Sequence, residues 1–224
     1  YKPATIYSNY SINDNNNIFK EDSEKLSIDS KEPHIRLKES FKNLGYDLST
    51  KDINKVESSS FTIFYDMPVG INEINIPDNS YLILWECEVI APSNWVLKNH
   101  LKFKKIFTWD NSLVDNVKYF KIQYPNKLNF SVKPWEEKKL VTMLAGNKYS
   151  SHPLELYSYR KTIIRWFEKN KIDDFEFYGI GWDKLVTSNR YFNFLLKKLN
   201  LNKLLSRKYQ NYKGFVNDKK EALE

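Results

Sequence analysis

Two glutamates, Glu86 and Glu88, follow the apolar run 81–85 and carry the side chains needed for acid–base chemistry. The run predicts a parallel strand, so both carboxylates are expected where a strand ends and a loop begins, the usual ligand position in open α/β sheets. Two residues apart on an extended chain, they would point to the same side. A carboxylate held there beside an aromatic ring would have a raised pKa and could act as a general base. Polar strand ends without a catalytic role are also common.

Arg160 is the second residue whose position suggests chemistry, because it interrupts an apolar stripe on a predicted helix. It lies four residues after Leu156 and three before Ile163, within the face that should pack on a sheet. Burying a guanidinium without an anionic partner is costly. Two interpretations stay open. The side chain extends past the stripe to water, or it binds a diphosphate near the carboxyl edge of the sheet.

Several other kinds of site are not indicated. The histidines, His34, His100 and His152, lie far apart and no two have metal-ligand spacing, so we expect no tightly bound metal. The single Cys87 excludes an internal disulfide framework and a Cys-based zinc site, and it favours a reducing cytoplasm. No P-loop, GxGxxG fingerprint or nucleophile elbow occurs, so kinase, dehydrogenase and hydrolase functions lack support.

The elements around the arginine form a strand–helix–strand pattern. Residues 140–145 predict a buried parallel strand, and residues 175–178 predict a second strand. The intervening helix is expected to be capped by Ser151 or His152, with Pro153 in its first turn, and to end in a lysine-rich stretch. Its apolar stripe consists of Leu156, Ile163, Ile164 and Phe167.

Strands and helices also alternate in the first half of the chain. Residues 33–45 predict a helix that presents Leu37, Phe41 and Leu44 on one face and ends at Gly45, its C-cap. A second helix is predicted at 94–103, a long polar loop at 8–30, and strands at 5–7, 61–65, 81–85, 105–109 and 119–123. This alternation predicts an α/β fold with a mostly parallel sheet and helices on both faces. The expected organisation is a domain at 1–123, a linker at 124–139 and a second domain at 140–224.

The net charge of +7 is concentrated near the end of the chain. Ten basic and three acidic residues lie between Lys184 and Glu224, whereas the preceding part carries 25 of each. This distribution argues against a nucleic-acid face spread over the domain. The basic stretch is either a solvated surface or attracts an anionic nucleotide or an anionic membrane surface. No apolar run approaches the length of a membrane span. We therefore expect a cytoplasmic protein, with peripheral contact to the inner face of a membrane as the alternative.

A series of short motifs follows one another from about residue 38 onward. In the second half they are Ala145-Gly146-Asn147-Lys148, Ser151-His152-Pro153, Glu155-Leu156-Tyr157, Arg160-Lys161, Ile164-Arg165-Trp166-Phe167 and Phe177-Tyr178-Gly179-Ile180-Gly181-Trp182. In the first half they are Gly45-Tyr46, Thr50-Lys51-Asp52-Ile53, Asp66-Met67-Pro68, Leu84-Trp85-Glu86-Cys87-Glu88 and Ile106-Phe107-Thr108-Trp109. Tyr212-Lys213-Gly214 follows near the end. In this combination the chain resembles bacterial members of glycosyltransferase family 10, the α-1,3/1,4-fucosyltransferases.

The resemblance implies a GT-B architecture, in which two Rossmann-like domains face each other across a cleft. The N-terminal domain would bind a glycan acceptor and the C-terminal domain GDP-fucose, with no metal cofactor. Transfer would invert the anomeric carbon. The family's catalytic glutamate matches Glu86, with Glu88 as the neighbouring alternative. Its diphosphate-binding arginine matches Arg160, and Asn147 would add a polar contact to donor or acceptor. A fixed cation that stabilises leaving-group charge is typically a large catalytic term.

One part of the family pattern is missing from this sequence. The Tyr-Lys-Phe strand, the Glu-Asn pair and the Thr-Glu-Lys run, which hold guanosine, ribose and fucose in the family, do not occur. The resemblance thus implies a fragment that ends within the donor domain and is inactive alone. Two alternatives follow: a non-catalytic carbohydrate-binding module, or a GT-B transferase that uses another nucleotide sugar.

Overall fold

The computed structural model describes residues 1–20, 28–123 and 134–216. It divides into two compact units, Tyr1–Leu128 and Asn129–Glu224. Residues 124–133 of the predicted linker lie outside the described residues, and the rest of that linker contains a short 3-10 turn at Trp135–Glu137. Each unit has its own parallel β-sheet and its own buried core.

Six parallel strands form the sheet of the first unit, in the order β2-β1-β3-β4-β5-β6. The strands are β1 (Lys2–Ser8), β2 (Tyr46–Thr50), β3 (Thr62–Tyr65), β4 (Ser80–Leu84), β5 (Lys105–Thr108) and β6 (Tyr119–Lys121). All five strands predicted for this half are confirmed with small shifts at their ends, whereas β2 has no counterpart among them. The unit is an α/β domain of the Rossmann-like kind.

Both faces of this sheet are buried, as expected for parallel strands. Side chains alternate along β3, so Ile63 and Tyr65 join the cluster under helix α1 (Ile28–Asn43) and Phe64 joins the cluster on the opposite face. Leu37 and Phe41 of α1 pack against the first cluster. The opposite face is covered by side chains from loops and 3-10 turns, which are Met67, Ile71, Ile76, Phe103 and Leu113.

The helix predicted at 33–45 exists, but its bounds and one of its core residues are wrong. Described helical residues begin at Ile28, which places Pro33 inside the helix rather than at its start. Gly45 follows the helix with φ +86°, a conformation that glycine adopts without steric cost. Leu44 is 70% exposed because the chain has left the helix before it. In the predicted polar loop 8–30, short 3-10 turns occur at Ser11–Asn13 and Asn17–Phe19.

The α-helix predicted at 94–103 is also wrong. Two consecutive 3-10 helices, Pro92–Trp95 and Leu97–Lys102, occupy this segment. Its buried polar side chains bond to other parts of the unit, as the Oδ1 of Asn94 does with the main-chain N–H of Met67 at 2.7 Å. These distant partners fix a tighter, irregular backbone.

The second unit is built on two parallel strands, β7 (Val141–Leu144) and β8 (Phe175–Tyr178), joined through helix α2 (Tyr157–Asn170). Backbone hydrogen bonds extend the sheet beyond β8, where Tyr212 pairs with Phe177 in parallel. Two further helices are α3 (Arg190–Lys198) and α4 (Leu201–Leu204).

The buried strand predicted at 140–145 is confirmed as a parallel strand, but not as a buried one. Its residues alternate between partly buried and exposed. Within the described residues, β7 pairs only with β8, so Leu144 remains 49% exposed at the sheet edge. The core lies instead under β8, where Ile164 of α2 packs with Phe175, Phe177 and Trp182.

The start of α2 and its predicted apolar stripe need correction. The helix begins at Tyr157, and neither Ser151 nor His152 caps it, because His152 lies in a separate turn in which its carbonyl accepts from the main-chain N–H of Glu155 at 3.1 Å. The carboxylate of Glu155 instead accepts a hydrogen bond from the main-chain N–H of Ser158 at 3.0 Å. This bond and one from the Ser158 hydroxyl lower the pKa of Glu155. Of the predicted stripe, Ile164 and Phe167 face the core, whereas Leu156 and Ile163 are exposed.

Candidate functional site

The carboxyl ends of β1, β3 and β4 are adjacent in the first unit and form the candidate site. β1 lies between β2 and β3, so the strand order reverses at the β1–β3 pair. Ligands of open parallel sheets bind outside the strand ends at such a reversal point. Ser8, Tyr65 and Leu84 are the last residues of the three strands. The residues that follow them are therefore placed where a ligand would lie.

Glu86 follows β4 and has its main chain fixed on both sides. Its N–H donates to the Oδ1 of Asp66 at 3.0 Å. Its carbonyl oxygen accepts from the Nδ2 of Asn94 at 3.1 Å and from the indole Nε1 of Trp95 at 3.3 Å. The residue is partly exposed. The position of Glu86 is therefore determined by the fold.

Asp66 supplies the central acceptor of this arrangement. It is 2% exposed, and its Oδ1 accepts three hydrogen bonds: from the N–H groups of Trp85 and Glu86 and, at 2.6 Å, from the Nδ2 of Asn94. Its Oδ2 is buried and has no hydrogen-bond partner among the described residues. Asp66 also adopts φ +64°, a left-handed conformation that is uncommon outside glycine but tolerated by Asp and Asn. One carboxylate thus fixes the ends of both β3 and β4.

A chain of buried polar groups continues from Asn94, the side-chain partner of Asp66. The carbonyl oxygen of Asn94 lies 2.7 Å from the Nε2 of His100, and the Nδ1 of His100 lies 3.1 Å from the hydroxyl of Tyr119. His100 is fully buried. Burial lowers the pKa of His100, because the imidazolium form would lose its hydration. A neutral His100 therefore belongs to the stable form of this network.

Tyr10 lies near the same strand ends. Burial raises the pKa of its hydroxyl, and the negative charges of Asp66 and Glu86 raise it further. The side chain is nevertheless 45% exposed. A hydroxyl close to two carboxylates at a strand-end crevice can donate a hydrogen bond to either carboxylate or to a ligand.

The two predicted glutamates, Glu86 and Glu88, differ in local backbone structure and in exposure. The strand ends at Leu84, the chain bends at Glu86, and Glu88 lies in a turn in which the N–H groups of Ile90 and Ala91 donate to the carbonyl of Cys87. The extended conformation expected for this segment is therefore wrong, and the same-side argument does not apply. Glu88 is exposed, whereas Glu86 is partly buried.

Aromatic rings surround the end of β4. The ring of Trp85 lies 5.1 Å from that of Tyr65 and 5.6 Å from that of His34. The indole Nε1 of Trp109 donates to the carbonyl of Trp85 at 3.1 Å, and the rings of Trp95 and Trp109 are 5.4 Å apart. These contacts place Glu86 beside bulky rings, which restricts the movement of the strand end.

In the second unit, Arg160 lies at the carboxyl edge of the sheet, as predicted. Its guanidinium donates through Nη1 to the carbonyl of Gly146 at 3.0 Å and lies 4.8 Å from the centre of the Tyr157 ring. Gly146 belongs to the loop that follows β7. Among the described residues no carboxylate pairs with Arg160. The side chain therefore does not simply extend to water, and among the described residues its other N–H groups have no hydrogen-bond acceptor.

Asn147 fixes the loop after β8. Its Nδ2 donates to the carbonyls of Gly181 at 2.9 Å and Lys184 at 3.2 Å, while its Oδ1 is buried without a hydrogen-bond partner among the described residues. The two loops pack closely, since a Cβ on Gly179 would lie 2.0 Å from the carbonyl oxygen of Ala145. The polar contact predicted from Asn147 to a donor or acceptor stays a prediction, and its amide nitrogen is already used within the protein.

Two classes of feature are not found in the part of the chain that the structure describes. No group of three or more His, Cys, Asp or Glu side chains there could hold a metal ion. No helix there combines the length and the apolar character that a membrane crossing needs.

Sequence reasoning missed Asp66, Asn94 and Tyr10 as members of the site. Asp66 could have been found by the rule that selected Glu86, because it directly follows a predicted apolar strand. Asn94 and Tyr10 carry no such signal, since they reach the site through loops of irregular length.

Comparison with known proteins adds no family assignment. No protein-family model matches the chain, and no curated protein matches it. Any statement about function therefore has to be argued from the site itself.

Proposed function

We propose that this chain carries an acceptor-binding unit and donor-binding elements of an inverting glycosyltransferase. The reaction is transfer of fucose from GDP-fucose to a hydroxyl of a glycan. The observation that carries the proposal is Glu86, a partly exposed carboxylate whose main chain is fixed on both sides after β4, one strand away from the reversal point of a parallel sheet. Such preorganisation is what a general base requires.

Glu86 takes the proton from the acceptor hydroxyl as that oxygen attacks C1 of fucose. The bond between C1 and the phosphate oxygen breaks, and GDP leaves with the electron pair. Because attack and departure occur on opposite faces, the anomeric configuration inverts. Tyr10 and the aromatic rings around β4 provide surfaces on which a sugar ring can stack and hydrogen-bond.

Arg160 stabilises the charge that develops on the departing diphosphate. The hydrogen bond to Gly146 and the ring of Tyr157 hold its planar guanidinium, so little side-chain freedom is lost on binding. The loops after β7 and β8 contain Gly146 and Gly181, which are partly exposed and have no side chain to keep a ligand away from the backbone. In a GT-B enzyme, the base and this cation belong to different domains, and here they belong to different units.

The test is a transfer assay on the polypeptide encoded by the whole reading frame, with GDP-fucose and a panel of glycan acceptors. Glu86→Gln keeps the shape and removes the base, so turnover should fall by about 100-fold or more. Glu88→Gln is the matched control and should leave turnover within about threefold, since an exposed side chain in a turn has no place in this step.

Loss of transfer in Glu88→Gln with activity retained in Glu86→Gln would move the base to Glu88. Full activity in both variants would exclude this reaction scheme. If GDP-fucose gives no product while another nucleotide sugar does, the protein is a glycosyltransferase, but GDP-fucose is not its donor.

A further inference from the structure

A basic cavity of about 220 Å³ opens in the second unit between α2 and the segment 207–210. Its lining consists of Arg165, Glu168, Lys169, Arg207, Lys208 and Gln210. The cavity borders the second half of α2 and the chain that leads into the pairing of Tyr212 with Phe177. It therefore lies towards the amino end of the sheet, away from the carboxyl edge where Arg160 contacts Gly146. The cavity is separate from the proposed donor site.

Glu168 organises one side of the cavity. Its carboxylate accepts from the guanidinium of Arg207 at 2.9 Å and from the main-chain N–H of Gln210 at 2.9 Å, and its side chain is only 10% exposed. The guanidinium of Arg207 also lies 5.4 Å from the centre of the Tyr209 ring. A mostly buried carboxylate and an aromatic ring thus hold Arg207 in one orientation with N–H donors left over.

The remaining cations of the cavity are uncompensated. Arg165 and Lys169 lie four residues apart, hence on one face of α2, and neither their side chains nor that of Lys208 has a hydrogen bond or ion pair within the described part of the chain. Four cations face one carboxylate, so the lining carries a net charge of +3. Positive charge also affects the previous turn of the helix. The pKa of Lys161 is lowered mainly by burial and additionally by the charge of Arg165.

The pKa of Tyr209 is a second indication that these cations lie close together. Burial raises the pKa of its hydroxyl, while the positive charges of Arg207 and Arg165 act in the opposite direction. Both guanidinium groups are therefore close enough to the same hydroxyl to act on it, although one comes from α2 and the other from the segment that follows α4. Side chains that approach one point from two elements form a site rather than a charged stripe.

We propose that this cavity is a binding site for a phosphate monoester group. A phosphate monoester carries a charge between −1.5 and −2 at neutral pH and three acceptor oxygens, which matches several cationic donors directed at one cavity. A carboxylate, with one charge, would leave most of the +3 unbalanced. Phosphate binding at this cavity does not depend on glycosyl transfer, so it can be tested independently of the function proposed above.

The test follows amide resonances of the 224-residue chain by NMR while inorganic phosphate is added at constant ionic strength. Saturable shifts are expected at Lys169 and Gln210. The double variant Arg165→Ala/Lys169→Ala should weaken phosphate binding about tenfold or more, since it removes two charge-assisted partners. Both residues are exposed, so the fold should persist.

The matched control is Lys197→Ala/Lys198→Ala, which removes the same charge from exposed positions of α3 outside the cavity. It should change phosphate affinity by no more than about twofold, because exposed charges at a distance are screened by salt. Equal weakening by both double variants, or no saturable shift in the parent chain, would overturn the proposal.

A second arm distinguishes the source of the phosphate. Vesicles of phosphatidylcholine with phosphatidic acid are compared with vesicles of phosphatidylcholine alone in a sedimentation assay. Binding to the first only, lost in Arg165→Ala/Lys169→Ala and displaced by inorganic phosphate, identifies a lipid headgroup. Phosphate binding without vesicle binding identifies a soluble phosphate monoester. Vesicle binding that persists in this double variant would contradict the site.

Discussion

Asp66 links three donors that would otherwise be buried without an acceptor. The main-chain N–H groups of Trp85 and Glu86 and the amide of Asn94 all converge on its Oδ1. Leaving such groups unsatisfied costs more than a hydrogen bond contributes when it is made. This asymmetry gives a single side chain control over the position of the proposed base.

Exchanging Asp66 for Asn or for Ala should separate its two contributions. Asn retains a carbonyl acceptor and tolerates left-handed backbone, so the free energy of unfolding should fall by about 1–2 kcal/mol. Ala offers no acceptor and is strained at φ +64°, so a loss of roughly 3–5 kcal/mol is expected. Urea unfolding of both variants measures the difference. Equal losses would mean that the carboxylate does not hold the strand ends.

The positions of single residues were predictable where they followed from the local pattern, whereas their chemical roles stay predictions. Glu86 follows an apolar strand and Arg160 interrupts an apolar stripe. Their partners could not be predicted, because a carbonyl such as that of Gly146 or an amide such as that of Asn94 becomes available only through tertiary structure.

Among the elements, strands rich in apolar and aromatic residues were predictable and polar ones were not. β2 contains Leu48 as its one aliphatic residue, and its Ser49 and Thr50 are nevertheless buried. The side chains of Asn16 and Lys38 hydrogen-bond to them, which offsets the cost of burial. Polar residues that are buried because distant side chains satisfy them leave no periodic signal in the sequence.

The 3-10 segment 92–102 shows the same limitation for helices. Its spacing fits an α-helix, but Asn94 and His100 are fully buried and bond outside the segment. The predicted cap of α2 was wrong for a local reason, since the N–H of Glu155 donates to the carbonyl of His152 and closes a separate turn before the helix. Intrinsic patterns therefore located the elements, while their type and start depended on tertiary partners and on local turns.

The buried His100 should make the 3-10 segment sensitive to acid. An unfolded histidine takes up its proton near pH 6.5, whereas the folded one, whose pKa is lowered by burial, does so only at lower pH. Between these values the unfolded state binds more protons, so the free energy of unfolding falls as pH drops below about 6.5.

Replacing His100 with Gln should lower stability at pH 7 by about 1–3 kcal/mol, through lost buried hydrogen bonds, and flatten the dependence between pH 7 and pH 5. Urea unfolding at the two pH values measures both effects. His152→Gln is the control, because its ring is not fully buried, and it should leave the dependence unchanged. A His100→Gln slope equal to that of the parent chain would show that another group titrates.

At the scale of the whole molecule, the chain divides its proposed roles between two units. The first holds the proposed base in a fully formed six-stranded sheet, whereas the described part of the second has a smaller sheet with exposed apolar side chains such as Leu144 and Tyr159. The α/β class was predictable from alternating strands and helices. The smaller core of the second unit was not, since apolar residues in β7 and α2 read as buried whether or not neighbours cover them.

Calorimetric titration of GDP and GDP-fucose into the 224-residue chain tests whether the second unit binds a guanosine diphosphate through Arg160. Arg160→Ala should weaken GDP binding by about 1.5–3 kcal/mol, or roughly 10- to 100-fold. Arg165→Ala/Lys169→Ala, on the same helix but in the basic cavity, should leave it unchanged. GDP binding that survives Arg160→Ala and is lost in the double variant, or no GDP binding to the parent chain, would contradict this role of Arg160.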